Sequence, residues 1–355
     1  MIAPLSRSYA DARAAFLDAA ATAGARIESF AHPRVGMDGE ALYVDAAEVG
    51  PADADHVVIV VSGTHGVEGY LGSALQRHHL ETYDTDREGG PAIVFVHALN
   101  PYGFSWVRRV NEDNVDLNRN FVDWSQPTPT NDGYADLADL LVPHDWSPET
   151  QEQTLLGLMG KMEELGLEQL QQIVSGGQYD HPTGVFYGGT GPTWSNEWLR
   201  SFVARRLDGV TKAAIVDLHT GLGPWGHGEL ISSEVPSNDT FARQQAWWGD
   251  VISMMDDASV SASLEGDWLG AASDFAPDTE ITGVAIEYGT VDPITVLQSL
   301  RADAVLHGHG DPTADDAVAV REQVRAAFLD DDPAWLGACL PRYHAVVTAA
   351  VEHLA

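Results

Sequence analysis

Residues 62–69 read Ser-Gly-Thr-His65-Gly-Val-Glu68-Gly and follow directly on the apolar run Val57–Val61. An imidazole and a carboxylate three positions apart can converge on one metal ion, because both suit zinc. Two other apolar runs end in ionisable residues: Ala213–Val216 leads into Asp217-Leu-His219-Thr-Gly221, and Gly283–Ile286 leads into Glu287-Tyr288-Gly289. His65, Glu68 and His219 would supply two imidazoles and one carboxylate and leave a position open for water. That is the ligand set of catalytic rather than structural zinc. Glu287 would then act as general base, taking a proton from the metal-bound water and handing it to a leaving amine.

The elements that must position these groups follow from the pattern around them. A β-branched run such as 57–61 reads as a buried, parallel strand, and glycines at 63, 66 and 69 mark the bend after it. Residues 8–23 predict a helix capped by Ser8; short strands are expected near Arg26–Phe30 and Ala41–Val44, with Pro33, Gly36 and Gly39 between them. A helix is expected from about Gly69 to Tyr83, a strand over Ala92–Val96, and a turn at Asn100-Pro101-Tyr-Gly103. Further helices are predicted over Trp194–Leu207 with Ser195 as cap, near 238–254, and after Asp292-Pro293. Strand is expected at Glu229–Ser232. This alternation predicts an α/β fold with a central mixed, mostly parallel sheet flanked by helices, its site outside the carboxyl ends of the strands. No linker divides the chain, so one catalytic domain over 1–355 is expected, with an irregular or helical excursion at about 122–190. Within it, Leu155, Leu158, Met162, Leu165, Leu167, Leu170 and Val174 read as a packing face, and the glycine-rich 176–189 stretch as a loop.

Composition narrows the partners. The 19 Lys+Arg against 53 Asp+Glu give a formal net charge of −34, which would repel nucleic acid and anionic membrane. No apolar run approaches the length of a membrane span, and residues 1–25 read as an amphipathic helix rather than a leader, so a cytoplasmic location is expected. Cys339 is the only cysteine and reads as inert packing. Other histidines read as non-participants: His78 and His79 as solvated helix surface, His307 and His309 as a helix C-terminal region. No Gly-x-Ser-x-Gly turn supports a serine hydrolase.

With these residues in hand, the chain resembles the zinc carboxypeptidases of the M14 type, in the bacterial branch known as DUF2817. The resemblance rests on His65-Gly-Val-Glu68, on His219 and Glu287 at later strand ends, and on Asn100-Pro-Tyr-Gly103, Arg108-Arg109 and Val115-Asp-Leu-Asn-Arg-Asn120 between them. The stretch from Gly177-Gln-Tyr to Val-Phe-Tyr-Gly-Gly is similar to one typical of that branch. It implies a zinc carboxypeptidase-like fold and one Zn2+ per chain. It also implies a metallocarboxypeptidase, or a related amidohydrolase, acting on a small peptide or N-acyl amino acid with a free carboxylate. By the same resemblance Asn118 and Arg119 would hold that carboxylate, Arg109 (or Arg108) would stabilise the oxyanion, and Asp116 would orient His65. Tyr288, Tyr187 and Tyr179 are candidates for an assisting tyrosine. The Asp-Leu-His-Thr-Gly and Glu-Tyr-Gly stretches are also similar to aspartoacylase-like deacylases, so an N-acyl amino acid deacylase is the alternative. A metal-binding pocket protein without turnover is the alternative of a different class.

The acidic surface suits a saline milieu as a hypothesis. Unfolding midpoints should then rise between low and molar salt as surface repulsion is screened; midpoints that stay flat would remove the idea.

Overall fold

The computed structural model describes residues 2–85, 89–256, 259 and 264–355. Its strands are β1 (Arg26–Val35), β2 (Ala41–Val49), β3 (His56–Val61), β4 (Ala92–His97), β5 (Lys212–Trp225), β6 (Gly228–Ser232), β7 (Val251–Ser253) and β8 (Glu280–Gly289). They form one sheet in the order β1-β2-β4-β3-β5-β8-β6-β7. The central neighbours β4, β3, β5 and β8 run parallel, β6 is parallel to β7, and the pairs β1–β2, β2–β4 and β6–β8 are antiparallel. This is the mixed, mostly parallel α/β sheet that the sequence predicts.

The centre of the sheet is built from residues that bury both faces. Val57 to Val61 are all 0% exposed. Alternation sends Val58 and Val60 into one apolar cluster with Phe95, Val216, Ile286 and Trp335. Val57, Ile59 and Val61 enter the other with Ile215, Phe202 and Trp268. Helices cover both clusters, among them Tyr9–Thr22, Gly69–Glu81 and Pro333–Leu354 on the first and Trp194–Arg206 on the second. β1 is the exposed edge, interrupted in register between Ala31 and Val35 around Pro33, where a missing N–H does least harm.

Several expected boundaries move, for physical reasons. β1 and β2 extend to Val35 and Val49 because they pair along most of their length. Thr193, not Ser195, caps the helix Trp194–Arg206 by accepting from the Asn196 N–H; the Ser195 hydroxyl donates instead to the Leu99 carbonyl at 2.8 Å. The helix expected near 238–254 ends at Trp248, because Gly249 takes φ +83 and the chain continues as β7 against β6. His79 is not solvated surface: it packs against Phe95 and Tyr343. His307 and His309 do lie in the last turn of the helix Pro293–His309.

The excursion contains the helices Ala138–Leu141, Pro148–Leu165 and Leu167–Ser175. Its apolar stripe is only partly a packing face. Leu158 and Val174 are buried, whereas Met162 and Leu167 are exposed. One buried guanidinium pins the excursion to the body. Arg301 donates to the carbonyls of Leu140 at 2.6 Å and Leu141 at 3.0 Å, and to Thr154 Oγ1 at 2.6 Å.

Beneath the first cluster, His97 is fully buried, stacked on Phe16 with its Nε2 2.9 Å from Ser73 Oγ. Burial lowers its pKa from 6.5 to about 4. The unfolded chain therefore takes up a proton below pH about 6.5 that the folded chain refuses until pH about 4. The stability tied to neutral His97 is complete above pH 6.5 and is lost as pH falls towards 4. Between pH 7 and pH 5 the wild type should lose about 2 kcal/mol more unfolding free energy than His97→Gln. Urea titrations at the two pH values measure this; parallel losses would contradict it.

Candidate metal centre

The chain leaves β3 through a bend that only small residues permit. A Cβ on Gly66 would lie 2.0 Å from the Gly103 carbonyl carbon, so the His65 turn packs directly on the helix Pro101–Trp106. Asn100 caps that helix, accepting from the Gly103 N–H at 2.8 Å, while its own N–H donates to the Gly63 carbonyl. The N–H groups of Gly66 and Val67 donate to the carbonyls of Arg109 and Arg108, which ties the turn to the arginine segment. Parallel register then brings His219 of β5 opposite Glu287 of β8, on a shared face of the sheet.

His65, Glu68 and His219 meet there, 3%, 1% and 5% exposed. His65 Nδ1 lies 3.0 Å from Glu68 Oε1, His219 Nδ1 lies 3.0 Å from Glu68 Oε2, and the two Nδ1 atoms are 3.2 Å apart. The far nitrogen of each ring meets a carboxylate: His65 Nε2 with Asp116 Oδ1 at 3.0 Å, His219 Nε2 with Asp217 Oδ2 at 2.7 Å. With the ring protons assigned to those contacts, both Nδ1 lone pairs face each other and the Glu68 carboxylate. Convergent lone pairs of this kind call for a cation. The spacing fits one, since ligands on a tetrahedral zinc at about 2.0–2.1 Å stand roughly 3.3 Å apart. Among the described residues this is the group of three that could hold a metal ion.

The surroundings hold the charges in place. Burial works against the Glu68 anion, but protonated imidazoles would outweigh it, His65 first and then His219, and hold its pKa below the carboxylate range; a cation between them would act in the same sense. Glu68 Oε2 also accepts the Thr220 N–H at 3.0 Å, and Arg109 Nη1 donates to Oε1 at 3.2 Å. Arg109 Nε donates to Asp116 Oδ2 at 2.9 Å, so one guanidinium spans a ligand and a ligand's partner. Glu287 stands half-buried beside them, its Oε1 accepting the Leu222 N–H at 2.9 Å. Burial, with the Glu68 charge adding to it, raises its pKa to about 7.

Of the residues singled out in the sequence, the structure brings together His65, Glu68, His219, Asp116, Arg109 and Glu287. Arg119 lies alongside but is only 2% exposed: Nη1 donates to the Asn118 carbonyl, Nη2 to the Ser175 carbonyl at 2.5 Å, and buried Nε has no partner among the described residues. Asn118 is half-buried, its Oδ1 3.5 Å from the Trp268 N–H. Arg108 turns away to a buried pair with Asp303 at 2.9 Å, whereas its neighbour Arg109 faces Glu68. Two of the tyrosines are corrected. Tyr288 is 0% exposed and lies in the apolar cluster on the opposite face from Glu287, as adjacent residues in a strand must. Tyr187 is buried and holds the site by its carbonyl, which accepts the Asp116 N–H at 2.8 Å, rather than by its ring. Tyr179 donates its hydroxyl to the Arg119 carbonyl at 2.6 Å.

Sequence reasoning passed over four participants. Asp217 is two residues before His219, a same-face spacing that could have shown its role. Thr64 donates to Asp217 Oδ1 at 2.8 Å, and the Trp268 indole N–H donates to Asp217 Oδ2 at 2.6 Å. Phe186, at φ +55, lies beneath both Arg109 and Arg119, their guanidinium carbons 5.5 and 5.4 Å from its ring centre. Phe186 lies in the Val-Phe-Tyr-Gly-Gly stretch but has no mark of its own there, and nothing local in the sequence marks Trp268.

The chain matches the family described as protein of unknown function (DUF2817) over residues 5–342. Among curated proteins no relative matches. Among solved structures, thrombin activatable fibrinolysis inhibitor is 11% identical, with a TM-score of 0.51, over 97% of this chain and 74% of that one. That likeness is one of fold. The bovine form of the inhibitor, in complex with tick carboxypeptidase inhibitor, is 11% identical with a TM-score of 0.49 over 98% and 97% of the chains. Carboxypeptidase A from Helicoverpa armigera is 13% identical with a TM-score of 0.46 over 90% and 74%.

The close approach at Gly66 generates a stability test. Gly66→Ala should cost about 2–4 kcal/mol, because backbone must shift to admit the methyl group. Gly160→Ala, in a helix with nothing within 4 Å of the new carbon, should be neutral or stabilise by up to about 1 kcal/mol. Chemical unfolding of both variants reads the difference, and equal stabilities would contradict the packing argument.

Proposed function

We propose that this chain, which belongs to the DUF2817 family, is a zinc-dependent hydrolase that cleaves an amide bond next to a free carboxylate. One observation carries the reading: two imidazoles and a carboxylate, each imidazole braced from behind by its own carboxylate, converge beside Glu287. Bound by His65, Glu68 and His219, one zinc ion would supply Lewis acidity at the scissile carbonyl and lower the pKa of a water towards about 7.

The chain's own residues do the rest. Glu287 takes the proton of the attacking water and later delivers it to the leaving nitrogen, a task that suits a carboxylate raised to about 7. The Leu222 N–H holds one Glu287 oxygen at 2.9 Å and would leave the other to meet the water. Arg109 places a fixed positive charge beside the carbonyl oxygen, where negative charge grows in the transition state. Asn118, half-buried with its Oδ1 3.5 Å from the Trp268 backbone N–H, would offer its amide nitrogen to the substrate carboxylate, and Arg119 adds charge from beneath. The cover that Ser175 and Phe186 form over Arg119 favours a small substrate, a short peptide or an N-acyl amino acid.

Metal analysis of the purified protein should give one zinc per chain, lost in His65→Ala and His219→Ala; an active, metal-free enzyme would overturn the scheme. Glu287→Gln should retain the metal yet lose kcat by at least 100-fold, whereas near-normal turnover would remove Glu287 as base. A panel pairing C-terminal dipeptides with N-acyl amino acids, each as free acid and as amide, identifies the leaving group. Equal rates on acids and amides would contradict carboxylate recognition.

A further inference from the structure

We propose that Trp268 is a positioning residue of the metal centre, fixing the imidazole of His219 through Asp217 with a neutral hydrogen bond. The inference rests on the metal-hydrolase reading above. The two imidazoles have matching carboxylates behind them, but these are held differently. Asp116, behind His65, receives the Arg109 guanidinium at 2.9 Å on one oxygen and the Asn118 N–H at 2.9 Å on the other. Asp217, behind His219, has no guanidinium or ammonium partner among the described residues. Its donors are the Thr64 hydroxyl at 2.8 Å on Oδ1 and, on Oδ2, the Trp268 indole at 2.6 Å beside His219 at 2.7 Å.

The shared atom is the centre of the argument. A carboxylate oxygen has two lone-pair directions near its plane. With His219 on one and the indole on the other, Oδ2 cannot swing without losing a bond in a site only 1% exposed, where no water replaces it. The direction of the His219 ring is fixed as a result, and with it the direction of Nδ1. Trp268 itself is 0% exposed, locked in the apolar cluster with Leu117, Phe121 and Phe275, so the indole has no other partner to turn to. An N–H in this position, on a ring that packing alone would hold, acts on the ligand and not on the fold. It should therefore be read in metal affinity.

The test is the affinity of the full chain for Zn2+, by competition with a chelating indicator, in wild type, Trp268→Phe, Asp217→Asn and the double variant. Trp335→Phe is the control: Trp335 is also 0% exposed and gives its indole N–H to the Gly289 carbonyl at 2.9 Å, and among the described residues its side chain is hydrogen-bonded to no partner of a ligand. Trp268→Phe should weaken Zn2+ binding about 10-fold or more, and Trp335→Phe by less than about twofold. In the Asp217→Asn background the Trp268 change should add little, because its route is already gone. The visible absorption of Co2+ in the site should shift in Trp268→Phe and stay unchanged in Trp335→Phe. If Trp268→Phe fails to fold, benzothienylalanine at 268, which replaces the N–H by sulfur and keeps the ring, takes its place. Wild-type affinity in the Trp268 variant, or the same loss in both backgrounds, would overturn the proposal and leave the metal reading intact. A wild type that binds neither ion would overturn both.

Discussion

Two imidazole nitrogens 3.2 Å apart, with a carboxylate 3.0 Å from each, set the condition that the rest of this structure meets. Three sets of lone pairs cannot be held that close in a buried site unless positive charge lies between them. The neighbourhood repeats the demand on a larger scale. Glu68, Asp116, Asp217, Asp267 and Glu287 are carboxylates of this neighbourhood, and Arg109 and Arg119 lie among them. With the carboxylates ionised, negative charge is in excess, and a divalent cation at His65, Glu68 and His219 would offset part of it.

The fold answers this condition with short-range devices. Glycine at 66 lets the His65 turn press on the helix Pro101–Trp106, and the Arg109 carbonyl then accepts the Gly66 N–H. The segment that holds the turn therefore also supplies the guanidinium that compensates Glu68 and Asp116. On the other side, β5 and β8 need no special device. Their parallel register sets His219 against Glu287, and the extended backbone sets Asp217 behind His219. One arm of the site is held by an ion pair and a tight turn, the other by sheet geometry and neutral donors.

That division explains what the sequence made legible. Chemistry placed at the ends of apolar runs could be read directly, since a buried β-branched run announces a strand and the residue after it lies at the sheet's edge. His65, Glu68, His219 and Glu287 all fall in that class. What depended on facing direction could not be read as well. Spacing did not distinguish Arg108 from Arg109; the left-handed turn at Val107, φ +56, precedes a pair that points one residue to Asp303 and the other to Glu68. Tyr288 looked available because it adjoins Glu287, but adjacency within a strand means the opposite face. Asp217 carried a usable signal, two residues from His219. Trp268 carried none, because its hydrogen bond to Asp217 joins residues 51 apart with no shared local pattern.

The proposed substrate carboxylate would have to approach a chain of net charge −34. Long-range repulsion from the surface acts through solvent and is screened within about 10 Å at moderate salt. The cations at the site are of another kind. Arg108, Arg109 and Arg119 lie within twelve residues of one another in a chain with 19 Lys and Arg in total, with Arg108 and Arg119 only 2% exposed. Arg108 is neutralised by Asp303 and Arg109 is shared with Glu68 and Asp116, whereas Arg119 meets carbonyls and the Phe186 ring, with Asp116 no nearer than 4.0 Å. Arg119 is thus the guanidinium of the three with the least direct neutralisation, and it follows half-buried Asn118 in the chain. Salt that screens the acidic surface leaves such a buried charge largely unscreened. An acidic exterior is therefore compatible with one weakly neutralised guanidinium beneath it, whose charge gains weight as salt screens the surface.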